Sequence, residues 1–451
     1  MLAVGATLGA WAARPAPVVA VGLVGLVGLA ARRGVVVLAA VTILAGGLAA
    51  RSWAGLAPPP SAALVAVTVA LVDDPHPVGP GVGVTVRWRG RRLDAQAFGR
   101  TASALRLRAA GDVVVLDGTV APLRGRARDR AAPRHVAGRL DVAVVRDWRP
   151  GPVVAEAANR FRRTLARGTA VLPPAEASLV RGFVIGDDRD EPAALVTAFR
   201  ASGLAHLTAV SGENVAFLLV VLGPVLRRLG LRARWLVTLG VVAWFAVLTR
   251  SEPSVVRACA MAALAATSRY AARPAPPLRL LSLAVTALVL VDPLLVRSPG
   301  WWLSVGATAG LAVLTDPLAR RLPGPRWLAD PLAATAAAQL GVLPVELAVF
   351  GTVPLLAVPA NLLAGPAAAF VMVWGLPAGI VAGLGPPGLA RVLHLPTLVL
   401  VRWIELVALL AARASPSGPA AVLIVVVVAG AVVAVVVTVG VRRRRVGSRA
   451  P

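Results

Sequence analysis

Gly203-Leu-Ala-His-Leu-Thr-Ala-Val-Ser-Gly-Glu-Asn-Val215 decides how the chain is read. It runs straight into the apolar stretch from Ala216 to Leu226, so His206, Ser211, Glu213 and Asn214 stand where a membrane helix begins. Polar groups at such a place are costly in lipid unless they face protein or water. One reading unwinds Ser211-Gly212-Glu213-Asn214 so that its backbone faces a cavity, with His206 beside it. A second makes Ser211 a helix N-cap, with Glu213 in the first turn and His206 hydrogen-bonded at the interface. A third pairs Ser211 as nucleophile with His206 as base, but no group is evident to orient the base.

Outward from this stretch, the rest of the chain is predominantly apolar. Of its 451 residues 57% are hydrophobic and 15% charged, whereas a soluble domain is nearer a quarter charged. Nine candidate spans follow Gly203, at 206–226, 235–250, 254–270, 279–296, 301–319, 331–351, 360–384, 395–413 and 418–440. Prolines 354, 359, 366 and 377 leave the segment 354–384 as either a broken span or a re-entrant hairpin. Before the polar stretch, residues 1–55 hold three more apolar helices, the first ending near Ala12 and shorter than a span. That helix is either re-entrant or preceded by an upstream start. The chain is thus expected to be a polytopic α-helical membrane protein with about 11–12 transmembrane helices. The first apolar stretch lacks a basic flank, so no cleavable signal peptide is expected.

The net charge of +26 comes entirely from arginine. Arg32-Arg33, Arg227 to Arg234, Arg269 to Arg279, Arg320 to Arg326 and Arg442 to Arg445 fall on one side of the membrane if the spans are counted as above. The positive-inside rule makes that side cytoplasmic and puts the start of 206–226 on the other. A polyanionic partner is the alternative source of the charge. Cys259 is the single cysteine, and His76, His135, His206 and His394 have no metal-type spacing, so no metal or cofactor is expected.

Pro58-Pro59-Pro60 marks a change of character. Over residues 60–147 the runs become short and valine-rich, with strands expected at Leu64–Val72, Gly83–Arg89, Ala104–Leu107, Val113–Val120 and Arg139–Val145. That spacing predicts a small all-β barrel or sandwich, on the extracytoplasmic side by the same topology. Val84 to Arg89 alternates as a half-buried strand does. Arg87, Trp88, Arg89, Arg91 and Arg92 interleave charge with an aromatic ring, which suits a single-stranded nucleic-acid surface. Arginine-rich turns facing solvent are the alternative. Residues 152–202 read as amphipathic or interfacial helices, the first with Arg160, Arg162, Arg163 and Arg167 on its polar side. The charged approach Asp187-Asp188-Arg189 separates the last two of them.

Two further sites lie inside the expected spans. Arg257 stands about a turn into one, with Glu252 close enough to be a local partner. Gln339, Pro344 and Glu346 share another, and Asn361 follows. A proline and a carboxylate in one apolar helix argue for a break beside water or a substrate path.

The residues Gly186-Asp-Asp188, Phe199 to His206, Ala209 to Val215, Pro253 to Ala258, Trp302 to Ser304, Gln339 to Pro344 and Pro359 to Leu363 occur in an order and spacing that resembles the ComEC-type competence proteins. That family consists of DNA-internalisation channels, and the resemblance covers nearly the whole chain. It implies an OB-like fold for the β segment and a channel domain over 203–441, ahead of a basic cytoplasmic tail at 442–451. It further implies passage of single-stranded DNA along His206, Ser211, Gly212, Glu213, Asn214, Arg257, Gln339, Glu346 and Asn361, with no catalytic residue. The partners it implies are single-stranded DNA, membrane lipids, a helix-hairpin-helix DNA receptor, a cytoplasmic motor and a separate nuclease. Two departures stand out. Glu213-Asn214 replace a Leu-His pair found in many members, and the metallo-β-lactamase-like domain that many members carry is not expected here. Two rival functions are a secondary transporter for a small solute, coupled through Glu346 and Arg257, and an intramembrane hydrolase using Ser211 and His206.

Overall fold

The computed structural model describes residues 1–31, 33–208, 211–351, 353–354 and 356–414. The expected span at 418–440 and the basic tail lie outside them. Three helices open the chain: α1 (Leu2–Ala12), α2 (Val18–Ala30) and α3 (Gly34–Gly55). α1 packs on α3 with the backbone of Gly9 against the Thr42 carbonyl, the close approach that small residues permit between membrane helices.

Pro58 to Pro60 end this helical unit because proline supplies no backbone N–H. Six strands follow: β1 (Ala62–Leu71), β2 (His76–Val78), β3 (Gly81–Trp88), β4 (Arg91–Ala97), β5 (Val113–Pro122) and β6 (Val136–Arg149). Their order is β1-β5-β6-β4-β3-β2, and β1 also pairs with β3, which closes a barrel. β4 and β6 run parallel; the other pairs are antiparallel. Val84, Val86, Leu93, Leu116 and Leu140 fill the interior.

Three details of the barrel differ from expectation. Ala104–Leu107 is not a strand but the end of helix α4 (Gly99–Arg106). Ala102 and Leu105, three residues apart, bury one helical face in the barrel core. β4 went unforeseen because its buried face holds only Leu93, Ala95 and Ala97 behind a doubly charged start. β3 is buried on both faces from Gly81 to Val86 rather than half-buried. β2 accounts for part of that cover, since His76 and Val78 lie where a side chain at Gly83 would be. The β3–β4 turn is Arg89-Gly90, with φ of 48° and 79°, the pair of positive values a two-residue type I′ hairpin requires. A short helix α5 (Gly125–Ala131) caps the β5–β6 connection.

The helical domain comprises α6 (Val153–Thr169), α7 (Pro174–Ile185), α8 (Ala193–Ser202), α9 (Ala205–Thr208), α10 (Gly212–Arg227), α11 (Leu231–Leu248), α12 (Pro253–Tyr270), α13 (Pro277–Val291), α14 (Pro299–Ala319), α15 (Arg326–Phe350), α16 (Ala357–Leu384) and α17 (Pro387–Ala414). Among the described residues, six helices are long and apolar enough to cross a membrane: α3, α11, α14, α15, α16 and α17. The expected 11–12 includes a span outside these residues and several shorter helices. α1, α2, α8 and α13 are apolar but shorter, and α12 carries Arg257 and Arg269. The chain is a multi-pass membrane protein with a small β domain.

Residues 357–384 of the 354–384 segment form one helix. α16 runs unbroken for 28 residues through Pro366 and Pro377. α14 and α15 meet at backbone distance: a Cβ at Gly306 would lie 2.5 Å from the Gly341 carbonyl oxygen. Gly310 makes the same kind of contact with the Ala337 carbonyl. One apolar core joins α6, α7, α8, α10, α11, α12, α16 and α17.

The barrel sits on one end of this bundle. Trp53 and Leu56, at the end of α3, pack with Ala132, Ala137 and Leu294. His135 Nε2 lies 2.9 Å from Asp292 Oδ1, just past α13. Arg250, just past α11, bonds Asp74 of the barrel. α3, α11 and α13 therefore all run toward the barrel, and the basic positions at their starts, Arg33, Arg232 with Arg234, and Arg279, lie at the far end.

Candidate functional site

A cluster of long-range polar contacts lies where barrel meets bundle. Arg162, expected on the solvent side of α6, faces inward in phase with Ala158, Leu165 and Thr169 and is 5% exposed. Its Nη2 lies 3.2 Å from Asp74 Oδ2 and 3.4 Å from Asp187 Oδ1. Its Nη1 donates to the carbonyls of Ile185 and Leu248, which end α7 and α11. Arg250 clamps Asp74 through two bonds of 2.9 Å and donates to Asn159 Oδ1 at 2.6 Å. Arg189 holds Asp187 in the same two-pronged way, at 2.6 and 2.8 Å. Ala110 N–H donates to Asp74, and Asn159 Nδ2 donates to the Ala110 carbonyl.

Burial alone would raise the Asp74 carboxyl, but Arg162 and Arg250 hold it well below the usual carboxylate range. Asp187 is likewise lowered, against its own desolvation, by Arg189 and Arg162. Around this paired core stand less compensated acids. Burial, then the charge of Asp188 and Asp187, pushes Glu191 up to about 8. Burial raises Asp188 and Glu252 too, and Asp188 adds to the effect on Glu252. Arg250 and Ser251 both have φ near 60°, a left-handed conformation that bulky residues adopt only under constraint. The Asp74 clamp supplies that constraint.

The Asp187-Asp188-Arg189 approach thus splits: Asp187 and Arg189 belong to a buried ionic lock, and Asp188 stands beside it. Sequence reasoning missed Asp74, Arg162, Arg250 and Asn159. For Arg162 the signal was present, as an arginine in step with Ala158 and Leu165 on an otherwise apolar face.

The opening stretch lies next to this lock. Ser211 is the N-cap of α10, with extended backbone, and its Oγ accepts from Glu213 N–H at 3.1 Å. Ser211-Gly212-Glu213-Asn214 therefore starts a helix and is not unwound; the expected helix from 206 is divided into α9 and α10. Ser211 Oγ donates to Asn214 Oδ1 at 3.2 Å, and buried Asn214 donates to the Phe183 carbonyl at 2.6 Å. Exposed His206 bonds instead to the Gly203 carbonyl through Nδ1, at 3.2 Å. Ser211 and His206 thus have different partners, an arrangement that does not assemble a nucleophile and base. Glu213 is exposed.

Arg257 joins this constellation from α12. It is 5% exposed. Its Nε donates to Ser304 Oγ of α14 at 2.9 Å, and Nη1 lies 3.2 Å from Met261 Sδ. Gly212 leaves room for its Nη2: a Cβ there would come within 2.8 Å. Among the described residues no carboxylate pairs with Arg257, and Glu252, its expected local partner, forms the N-cap of α12. Gln339 Nε2 donates to Glu346 Oε2 at 2.8 Å within α15. That bond spans the seven residues of two turns, and Pro344 interrupts the helix backbone between them without breaking it. Asn361 is half-buried on α16.

The basic hairpin of the barrel is partly engaged. Arg91 Nη1 reaches the Ala57 carbonyl at 3.4 Å and Arg92 Nη1 the Arg134 carbonyl at 3.1 Å. Arg89 lies 5.0 Å from the Trp88 ring centre, and Arg87 is exposed.

The family model for competence proteins matches residues 183–443, more than half of the chain. The match begins in α7 and takes in the ionic lock's Asp187 and Arg189, the capped start of α10 and Arg257. The chain is 26% identical over 227 residues to the uncharacterised protein YcaI of Escherichia coli K12, covering 47% of this chain and 30% of that protein. It is 27% identical over 214 residues to ComE operon protein 3 of Bacillus subtilis 168, covering 47% of this chain and 27% of that protein. The aligned part thus spans less than a third of either curated relative. No solved structure matches the chain. The segment that holds the capped polar helix start, the buried arginine beside it and the bundle of apolar helices is the one the family model matches, and over more than half of its length the chain therefore belongs to the competence protein family.

Proposed function

We propose that the chain conducts single-stranded DNA across the cytoplasmic membrane during DNA uptake, without itself cleaving it. The observation that carries this reading is Arg257, a buried guanidinium with neutral partners at the start of α10, where an anion would complete it. A chain of phosphates cannot cross hydrocarbon and needs a polar or basic path. In this reading His206, Ser211, Gly212, Glu213, Asn214 and Arg257 form the mouth of that path, and Gln339, Glu346 and Asn361 lie along it. The barrel lies outside the cytoplasm and receives the strand. Its side is supported by the arginine loops at the far end of the bundle. Its OB-like character is supported by the closed order β1-β3-β4-β6-β5, with one parallel pair and a helix between β4 and β5. The β3–β4 hairpin with Arg87, Trp88, Arg89, Arg91 and Arg92 contacts DNA. A DNA receptor, a cytoplasmic motor and a nuclease act as separate partners, and the C-terminal tail is cytoplasmic.

The test is uptake of labelled DNA into a strain deleted for this gene, with and without the chain restored. Restoration supports the reading. Uptake unaffected by deletion contradicts it, as does full uptake in the three variants Arg257→Ala, Glu346→Ala and His206→Ala at normal membrane abundance.

A further inference from the structure

α6 has a second face that neither the ionic lock nor the proposed path uses. Arg160, Arg163, Thr164 and Arg167 lie together on an open, solvent-facing side of the helix. Residues three, four and seven apart fall on one side of a helix, so the three guanidinium groups project together. Glu156 accepts from Arg160 at 3.2 Å and from Arg163 at 2.7 Å through the same oxygen. It orders both side chains but leaves three cations against one carboxylate. Thr164 Oγ1 accepts from Arg167 Nη2 at 3.1 Å.

The helix that packs beside this face points to the ligand. The Thr164 carbonyl lies against Gly383 near the end of α16. Leu384, the residue after Gly383, is 75% exposed, and Val381 on α16 and Val392 on α17 are exposed as well. A guanidinium stripe on a helix that packs against the end of an apolar membrane helix matches a phosphate headgroup with its acyl chains. Phe, Tyr and Trp, on which bases stack in single-stranded nucleic-acid sites, are not among the residues of this face. α6 also follows the barrel after three residues, which sets the stripe at the barrel-side edge of the bundle.

We propose that Arg160, Arg163 and Arg167 hold the phosphate of an anionic phospholipid at the barrel-side leaflet, fixing the depth at which α6 and the barrel ride on the membrane. The forked donors of arginine suit phosphate oxygens. The site is separate from the proposed DNA path, so either can fail alone.

The experiment uses the full chain purified in mild detergent, with retained lipid counted by native mass spectrometry after addition of phosphatidylglycerol or phosphatidylcholine. The intact chain should retain phosphatidylglycerol preferentially. The triple variant R160Q/R163Q/R167Q should lose that preference roughly tenfold or more, since each basic residue near an anionic surface contributes about a factor of five. R160K/R163K/R167K should keep most of it. If the glutamine variant does not remain monodisperse, Glu156→Gln serves instead and should raise phosphatidylglycerol retention by freeing Arg160 and Arg163. Equal retention in the intact and glutamine chains overturns the proposal, as does a Glu156→Gln chain with unchanged or lower retention. Loss of oligothymidylate binding with phosphatidylglycerol retention intact also overturns it and assigns the stripe to the strand.

Discussion

Arg162 and Arg257 are both 5% exposed, yet the chain treats them in opposite ways. Arg162 has two carboxylates, two carbonyls and a second arginine-acid pair on each side of it. Arg257 has a hydroxyl, a thioether sulfur and the bare backbone of a glycine. A buried charge is tolerated when its partners replace the water it lost. By that measure Arg162 carries its own counter-charges inside the junction, with its Nε alone left without a partner, whereas Arg257 has no counter-charge among the described residues. The first is a fastening between barrel and bundle. The second is where a ligand is expected.

Substitutions can break this contrast. The largest effect should come from Arg162→Met, which strands Asp74 and Asp187 in the junction. Breaking a buried ion pair costs about 3–5 kcal/mol, so thermal unfolding in detergent should move down strongly and the linker between barrel and bundle should become open to protease. A change no larger than that of a surface arginine would mean that the lock does not hold the junction.

Arg257→Met should behave in reverse. Replacing an incompletely partnered buried charge by a hydrophobic group of similar size is often neutral or stabilising by about 1–4 kcal/mol. The melting temperature should therefore hold or rise while labelled-DNA uptake falls at least about tenfold, one missing charge-assisted contact being enough for that. Strong destabilisation would show that Arg257 serves the fold.

A smaller effect should appear with pH. Glu191, pushed up to about 8 by burial and its acidic neighbours, keeps its proton in the folded chain where the unfolded chain has released it. Stability should then fall as pH rises from about 5 to about 8. Asp74 and Asp187 act with the opposite sign, and only in acid: their depressed values preserve stability until pH drops below the ordinary carboxylate range. Glu191→Gln should flatten the fall between pH 5 and 8 in melting curves; an unchanged slope would show that another group carries it.

The smallest effect belongs to the hairpin. Arg87→Gln with Arg89→Gln should weaken oligonucleotide binding a few-fold and lower its salt dependence by up to two phosphate contacts. A titration at two salt concentrations checks this. Unchanged salt dependence would place the DNA surface elsewhere on the barrel.

Much of this architecture was readable from the chain itself. The helices from α10 to α17 fall close to the apolar runs, because burial in lipid leaves a long signal that few other constraints imitate. The barrel was readable as a class, but α4 was mistaken for a strand. Four residues containing Ala104 and Leu105 fit either period, and the tertiary contact of Ala102 and Leu105 decided between them. The Ser211 cap was one of three local readings, and the extended backbone of Ser211 with its bond to Glu213 N–H is the geometry of a cap. The lock was not readable. Asp74 looks like a turn residue, Arg250 like a loop cation, and Asp187 like part of a solvated approach. Only the fold brings together positions 74, 162, 187 and 250, because the hydrogen bonds that join them span up to 176 residues. Pairing of that kind leaves no periodic trace.

The most direct measurement is labelled-DNA uptake by Arg257→Met and Arg162→Met chains restored to the deletion strain, each normalised to folded protein in the membrane. The account predicts that uptake per folded molecule is lost in Arg257→Met and largely kept in Arg162→Met, whose deficit lies in the amount folded. Full uptake per molecule in Arg257→Met would contradict it.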